Sequence, residues 1–141
     1  MEWTRPLPNI DPDNAPFWEG LRKHQLLLFT CKGCGDAYWP MAYCRSCRAE
    51  PSFGNMNWAP ASGMGRVFAF NIHRRAFHPG FADAIPYVFA LIELDEGPMF
   101  GSNVVGCAPE EVRIGMRVRV RYQDIEPDGA DPFTLALFEP A

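Results

Sequence analysis

Two short stretches, Cys31-Lys32-Gly33-Cys34 and Cys44-Arg45-Ser46-Cys47, decide how the first half of this chain folds. A zinc ion binds four soft ligands at the corners of a tetrahedron, and each CxxC turn presents two sulfurs on one side of a tight loop. Because Gly33 has no Cβ, backbone amides can fold back toward the thiolates. Four cysteines leave no open coordination position. The spacing therefore predicts a structural zinc ribbon with Cys31, Cys34, Cys44 and Cys47 as its ligands.

Two other uses of paired cysteines agree less well with the sequence. A disulfide framework is disfavoured by the odd fifth cysteine, Cys107, and by residues 1–6, which lack the basic-then-apolar layout of a secretory signal. A thioredoxin-like redox role needs one CxxC in a βαβ setting rather than two in tandem. We therefore expect a reducing, cytoplasmic compartment.

Composition and charge limit the partners of the chain. The 141 residues are 48% apolar, which is typical of a globular protein. The longest apolar stretch, residues 87–92, is the length of a strand and too short to span a membrane. A net charge of −4 argues against a general polyanion binder, because nucleic-acid affinity depends on cations that neutralise phosphates.

Residues 1–25 are predicted to form an extended arm and a short amphipathic helix. Three prolines in the first 12 residues favour an extended arm that is either mobile or lies on another surface. Asp13 or Asn14 offers an N-cap, Pro16 suits the first helical turn, and the helix should end near His24. Phe17 and Trp18 are large for so short a helix. They are candidates for contact with a partner, with packing onto the ribbon as an equally good alternative.

The remaining residues predict a zinc ribbon over 26–55 and a barrel domain over 56–141. Residues 25–30 should enter the first zinc knuckle as a strand, and residues 36–42 should form the connecting hairpin. From Asn57 onward, apolar residues alternate with period two. Strands are predicted at 65–73, 87–94, 99–105 (broken by Gly101), 117–123 and 133–138, with one helical turn at 109–112. Five strands without a long intervening helix predict a mainly β protein whose C-terminal domain is a small antiparallel OB-fold barrel.

With these segments laid out, the chain resembles the OB-fold acyl-CoA-associated proteins that carry an N-terminal rubredoxin-like zinc ribbon. The resemblance covers nearly all of residues 16–138, and Arg75 departs from the family pattern. Beyond the two CxxC pairs, it rests on Phe17-Trp18-Glu19-Gly20-Leu21, Ser62-Gly63-x-Gly65-x-Val67, His73-Arg74-Arg75-Ala76-Phe77-His78-Pro79-Gly80-Phe81, Ile85-Pro86-Tyr87, Ile92-Glu93-Leu94-Asp95-Glu96-Gly97 and Ile114-Gly115-Met116-Arg117-Val118.

The resemblance implies a function that composition and periodicity do not. Members are similar in acting as non-catalytic subunits beside thiolase-fold enzymes, which include thiolases, acyltransferases and the retro-aldolases of steroid side-chain breakdown. We therefore expect a hetero-oligomer in which this chain helps to assemble the complex and shapes the passage for an acyl-CoA thioester. Whether the chain has any activity alone is left open.

One concentrated basic segment interleaved with aromatic residues suits a phosphorylated, adenine-bearing ligand such as CoA. Arginine pairs with phosphate and an aromatic ring can stack on a base. A solvated loop between two strands is the alternative reading, and it is the stronger one for Arg75 and His78. The candidate residues for contact with CoA or a partner are His73, Arg74, Arg75, Phe77, His78 and Phe81.

Other chemistry-bearing residues are more simply structural. Cys107 lacks a recognisable base, and the acidic run from Glu93 to Glu96 has the composition of a hairpin turn. The arginines at 117, 119 and 121 share one outward strand face. A zinc-ribbon and OB-fold module for single-stranded nucleic acid remains the alternative function, although the ribbon is basic only at Lys32, Arg45 and Arg48.

Overall fold

A computed structural model of the chain, which describes residues 1–47 and 53–141, contains one α-helix, a small three-stranded sheet and a closed five-stranded barrel. The elements in chain order are α1 (Ala15–Arg22), β1 (Leu27–Cys31), β2 (Ala37–Tyr38), β3 (Met56–Pro60), β4 (Met64–His73), β5 (Tyr87–Leu94), β6 (Met99–Val104), β7 (Arg117–Ile125) and β8 (Phe133–Pro140). Single 3₁₀ turns occupy Phe53–Asn55, Pro79–Phe81 and Pro109–Glu111. The predicted mainly β fold is confirmed.

Helix α1 begins and ends close to its predicted limits. Pro16 lies in its first turn, and Asn14 is the N-cap, although the Asn14 side chain does not cap the helix. The carboxylate of Asp11 instead accepts the backbone N–H groups of Asp13 and Asn14, each at 2.9 Å. The chain leaves the helix through His24, whose φ is 56°. No helix among residues 1–47 and 53–141 has the length and apolar character needed to cross a membrane.

The barrel has the strand order β4-β5-β6-β8-β7, and β7 closes it by pairing with β4. Its five strands are those that the sequence predicts. The pairing differs in one place, because β6 and β8 run parallel and meet at Val104 and Phe138. β6 runs in the same direction as β4, because β5 lies antiparallel between them, and β8 does so as well, because β7 lies antiparallel between β4 and β8. We call the place where β6 and β8 meet the closing seam. The predicted OB-fold barrel is confirmed, and its strands pair antiparallel everywhere except here.

Buried and exposed side chains alternate regularly along β5 but not along β4. In β5, Val88, Ala90 and Ile92 are all buried, as their spacing predicts. A β-bulge between Val67 and Ala69 shifts the register of β4 and leaves Phe68 53% exposed. Val67, before the bulge, lies in the main core, and Phe70, after the bulge, packs against the same core. The predicted break at Gly101 is absent, because β6 runs unbroken through that residue.

The small sheet has the order β2-β1-β3 and contains the predicted ribbon strand, which begins two residues later than expected at Leu27. β3 pairs along the whole of β1, from Leu27 opposite Pro60 to Cys31 opposite Met56. Residues 56–60, which the sequence assigned to the barrel domain, therefore belong to the same sheet as β1. The division of the chain into three domains stays a proposal, and residues 48–52 of the predicted ribbon lie outside the described residues.

An aromatic joint connects the small sheet to the barrel. We define it as Phe17, Trp39, Trp58 and Phe100, which come from α1, the segment after β2, β3 and β6. The Phe17 ring lies 4.2 Å from the Trp39 ring and 6.2 Å from both the Trp58 and Phe100 rings, measured between centroids. Phe17 is only 4% exposed. The two sheets are thus packed through one shared cluster of rings.

The N-terminal arm lies on the barrel. Trp3 meets Phe133 edge to face at 5.5 Å, and the amino group of Met1 lies 2.9 Å from a carboxylate oxygen of Asp128. The carbonyl of Thr4 occupies the space that a Cβ on Gly80 would need, so glycine permits this close approach. The arm therefore forms part of the barrel surface.

Candidate functional site

The four cysteines of the two CxxC pairs meet at the tips of the small sheet. The sulfurs of Cys31, Cys34 and Cys47 lie within 4.8 Å of one another, and the Cys34 sulfur is 3.5 Å from that of Cys44. Zinc–sulfur bonds of 2.3 Å at tetrahedral angles would separate the sulfurs by about 3.8 Å. All five thiols of the chain, including Cys107, are free. The sulfur positions suit a single metal ion.

Hydrogen bonds from the surrounding backbone and side chains point toward these sulfurs. The N–H of Gly33 donates to the Cys31 sulfur and the N–H of Cys47 donates to the Cys44 sulfur, each at 3.3 Å. The hydroxyl of Tyr38 donates to the Cys44 sulfur at 3.6 Å and accepts the N–H of Arg45 at 2.8 Å. Donors around sulfur favour the thiolate, which is the form that binds metal.

Cys34 and Cys44 titrate as an unequal pair. Burial raises the pKa of Cys44, but the N–H groups of Cys47 and Ser46 and the Tyr38 hydroxyl outweigh burial and lower that pKa to about 7. The N–H of Asp36 acts to lower the pKa of Cys34, whereas the hydrogen bond with Cys44, burial and the neighbouring Cys31 raise it to about 12. Such a pair retains one proton between its two sulfurs, and a cation that binds the cluster would displace that proton.

The donor set fits a soft divalent cation. Four sulfurs converge, and thiolate is stabilised at one of them. Among residues 1–47 and 53–141, the carboxylate grouped with them is that of Asp36, near Cys34 and Cys44. A cluster of this kind could hold a metal ion through Cys31, Cys34, Cys44 and Cys47. With all four positions taken by sulfur, the ion would crosslink loops rather than bind a reactant.

The predicted basic segment begins at the end of β4 and forms an aromatic platform. His73 stacks on Tyr87, its paired residue on the neighbouring strand β5, with ring centroids 4.8 Å apart and planes 4° from parallel. Phe77 approaches His73 edge-on at 6.0 Å and is 77% exposed, and Phe81 lies 5.6 Å from Tyr87. The structure therefore brings three of the predicted residues, His73, Phe77 and Phe81, around one tyrosine that sequence reasoning did not single out.

The basic side chains of this segment each make a different contact. Arg74 is exposed and faces a carboxylate oxygen of Glu110 at 3.5 Å. The Arg75 guanidinium lies 5.9 Å from the centre of the Phe77 ring. His78 accepts the N–H of Gly80 at its Nδ1 atom, at 3.0 Å, and caps the 3₁₀ turn that follows. Arg74 and Arg75 are both exposed, whereas His78 has a structural contact.

Exposed apolar side chains continue from this platform across the outer face of the barrel. Phe89 is 41% exposed, Leu91 is 38% exposed, and Met99 on the neighbouring strand is 36% exposed. Phe68, displaced outward by the bulge, adds a further half-exposed ring. Contiguous apolar residues of this kind often mark sites of association.

The other candidates are engaged elsewhere. Trp18 is half-buried and remains available in part, but Phe17 packs inside the aromatic joint. A partner contact by Phe17 is therefore ruled out in this conformation, because its ring is covered by the chain itself. Burial, with a smaller contribution from the Glu111 charge, raises the pKa of the Cys107 thiol, which disfavours a nucleophilic thiolate there.

The charged residues of the barrel pair with each other. Arg117 meets Asp95 at 2.7 Å, and Arg119 and Arg121 share Glu139 at 3.2 and 3.5 Å. On the ribbon, Arg45 stacks over the Tyr38 ring and the Lys32 ammonium donates to the Gly54 carbonyl. Arg48 lies outside the described residues. These pairings weaken the case for a phosphate-binding stripe.

Comparison with known proteins identifies relatives for both parts of the chain. The family model described as the C-terminal OB-fold domain of ChsH2 matches residues 58–123. A DUF35 domain-containing scaffold protein of Methanocaldococcus jannaschii is 34% identical over 116 residues, covering 81% of this chain and 79% of that protein. A solved chain of the Ltp2–ChsH2(DUF35) aldolase superimposes with a TM-score of 0.78 at 33% identity, covering 95% of this chain and 98% of that one.

Two longer relatives are named as hydratase subunits. A probable enoyl-CoA hydratase alpha subunit of Thermomonospora curvata is 34% identical over 139 residues, and the 3-oxo-4,17-pregnadiene-20-carboxyl-CoA hydratase alpha subunit of Mycobacterium tuberculosis is 32% identical over 133 residues. They match 97% and 94% of this chain. The chain spans only 40% and 39% of their lengths.

Proposed function

The chain belongs to the ChsH2/DUF35 family of OB-fold proteins, and from that premise we propose that it is a non-catalytic accessory subunit of a thiolase-fold acyl-CoA enzyme. The partner would be an aldolase, a thiolase or an acyltransferase and would contribute the nucleophile and the acid–base groups. This chain would assemble the complex and form part of the passage for the acyl-CoA. A reducing cytoplasm would keep its thiols available for metal.

The observation that carries this proposal is the match to the solved chain of the Ltp2–ChsH2(DUF35) aldolase, which aligns over nearly its whole length. The names of the hydratase alpha subunits support an acyl-CoA substrate and a hetero-oligomer. The raised pKa of the Cys107 thiol supports an accessory rather than a catalytic role. The exposed ring of Phe77 supports an intermolecular contact.

Within this function, the two parts of the chain have different tasks. The cysteine cluster would bind zinc, which supplies a fixed tetrahedral crosslink when it is bound. The segment from His73 to Phe81 would meet CoA or the part of the partner that holds it. The stacked rings of His73 and Tyr87 offer a flat aromatic surface for an adenine ring, and the Arg74 guanidinium offers two N–H donors for phosphate. Trp18 remains a candidate for a partner contact.

Affinity capture of the tagged chain from its native host tests the assembly. We expect a thiolase-sized protein to co-elute and acyl-CoA turnover to require both proteins. Phe77→Asp should weaken co-elution, because it places a charge on an apolar contact. Ile114→Asp is a matched control, because Ile114 is likewise exposed, at 72%, but belongs to the turn before β7. Nucleic acid in place of a protein partner, or turnover by the isolated chain, would contradict the proposal.

A further inference from the structure

A cleft of about 790 Å³ lies among the N-terminal arm, helix α1 and strands β5, β6 and β8. The arm contributes Trp3, Arg5 and Pro6 to one wall, and Phe89 and Leu135 lie on the barrel wall. Most of its lining is aliphatic or aromatic. Binding sites for small organic ligands have volumes of about 300–1,000 Å³, so the cleft is large enough for a substantial apolar molecule.

The closing seam of the barrel explains why this wall is apolar and recessed. β6 and β8 pair only at Val104 and Phe138, and the buried hydroxyl of Ser102 spans the seam by donating to the Ala136 carbonyl at 2.6 Å. The Ser102 hydroxyl is therefore satisfied internally. The Phe89 ring packs closely over Gly101, where a Cβ would lie only 3.1 Å from that ring. A ligand would meet ring and methyl surfaces there.

Arg5 places a positive charge in this apolar setting. Its guanidinium carbon lies 4.6 Å from the centre of the Phe81 ring and 5.6 Å from that of Trp3, and its Nε atom donates to the Gly80 carbonyl at 3.1 Å. It forms no ion pair with any carboxylate of residues 1–47 and 53–141. A guanidinium has five N–H donors. Held half-buried by two rings, the group has N–H donors beyond the one that the Gly80 carbonyl accepts, so it can pair with an external anion.

We propose that this cleft binds an apolar acyl compound with an anionic end, which Arg5 pairs while the hydrocarbon body lies between the arm and the seam. The anionic end is either a free carboxylate or the phosphates of an acyl-CoA. Phe81 lines the cleft and also ends the basic segment from His73, so both forms of ligand can reach it. With an acyl-CoA as the ligand, the inference deepens the proposed function and rests on it. With a free carboxylate, it goes beyond that function, because it concerns what the chain binds without a partner.

Isothermal titration of the isolated full chain tests the proposal with three twelve-carbon probes below their micellar concentrations. We expect dodecanoate to bind at least tenfold more tightly than dodecyltrimethylammonium, because only the carboxylate can pair with Arg5. Arg5→Met should remove this preference for the anion. Arg66→Met, a change at an exposed arginine on β4, should leave it intact. The third probe, dodecanoyl-CoA, separates the two sources: tighter binding than dodecanoate assigns the anionic end to CoA.

A second pair of variants tests the location. Leu135→Trp should fill the cleft and weaken dodecanoate binding at least tenfold, whereas Ile114→Trp, on an exposed turn, should not. Circular dichroism shows whether each variant is folded. No binding of dodecanoate or dodecanoyl-CoA, equal binding of anionic and cationic probes, or equal effects of the two tryptophan variants would overturn the inference. Since no partner is present, such a failure leaves the assembly proposal standing.

Discussion

The ribbon and the barrel are built from the same kind of strands but are stabilised by different means. The main core includes fifteen buried residues, of which four come from α1 and from the start of the small sheet and the remainder from the barrel domain. In the part of the ribbon that the structure describes, a separate cluster has four buried residues, Phe29, Cys31, Tyr38 and Met56. A cluster of four residues buries too little apolar surface to order the surrounding loops.

The two regions should therefore lose their structure for different reasons. The barrel depends on apolar burial that is spread over many strands, so its stability resides in packing. The loops of the ribbon depend on one sulfur cluster, so their order resides in a metal. β1 belongs to both, because Leu28 enters the main core while Phe29 and Cys31 enter the ribbon's cluster. The boundary of metal dependence should therefore fall within this strand.

The largest effect is expected from loss of the metal. The purified chain should contain about one equivalent of zinc, and Cys44→Ser should abolish binding. Structural zinc contributes about 10–16 kcal/mol in small fingers, which exceeds what four buried residues can supply. Hydrogen exchange should show residues 32–47 losing protection while β5 and β7 keep theirs.

Cys107→Ser is the matched control for this variant, because Cys107 lies outside the cluster. It should retain full zinc content and unchanged exchange rates. Protease resistance of residues 26–47 that survives complete chelation would show that the ribbon has a self-sufficient core and would remove the contrast with the barrel.

The next effect concerns the barrel alone. Phe138 is fully buried and contacts Phe100 with centroids 6.0 Å apart. Phe138→Ala should lower the free energy of unfolding by about 3–5 kcal/mol, as removal of a core aromatic does. Chemical denaturation measures this loss. Zinc content should stay the same, because Phe138 does not touch the sulfurs.

Phe68→Ala makes the same chemical change on the surface of the same barrel. Phe68 is 53% exposed at the bulge. Its removal should change the free energy of unfolding by no more than about 0.5 kcal/mol. A large loss at Phe68 would mean that the bulge does not turn this ring toward solvent.

Much of this fold could be predicted because its causes are local. The CxxC spacing indicates the sulfur cluster, and alternation indicates β5 and β7, since a strand with one buried face must repeat every two residues. The bulge at Phe68 has no such signature, because an extra residue in a strand looks like any other. The parallel pairing of β6 and β8 is set by barrel closure rather than by either strand.

The candidate site could be predicted only where adjacent residues form it. The cysteines and the segment from His73 to Phe81 are contiguous or nearly so, and their residue types indicate their chemistry. Tyr87 stacks on His73 through strand register, and Tyr38 donates to Cys44 across a turn. The Arg5 cleft depends on where a proline-rich arm lies, and long-range packing decides that. No local pattern predicts such contacts.

The third prediction contrasts two surface arginines of the barrel region. Arg74 and Arg121 each lie 3.5 Å from a carboxylate oxygen, and their side chains are 64% and 57% exposed. If Arg74 meets a CoA phosphate, Arg74→Ala should lower acyl-CoA use by the complex about tenfold, since one charge-assisted contact contributes about 1.5–3 kcal/mol. Arg121→Ala should do much less. Steady-state kinetics measure both, and equal effects would mean that the basic segment has no special role.

The smallest expected effect concerns the junction between helix and barrel, where His24 and Asp124 meet at 3.1 Å. The Thr134 hydroxyl, and then His24, lower the pKa of Asp124 below its usual 3.8. A carboxyl with a lower pKa in the folded state stabilises that state at pH values above its unfolded pKa, and this contribution disappears as pH falls through the folded pKa. Asp124→Asn should therefore flatten the loss of thermal stability below about pH 4. Asp131→Asn, at an exposed aspartate, is the control. Melting curves from pH 5 to pH 2.5 decide the question: identical slopes for wild type and Asp124→Asn would show that this contact does not couple the helix to the barrel, leaving the aromatic joint to do so.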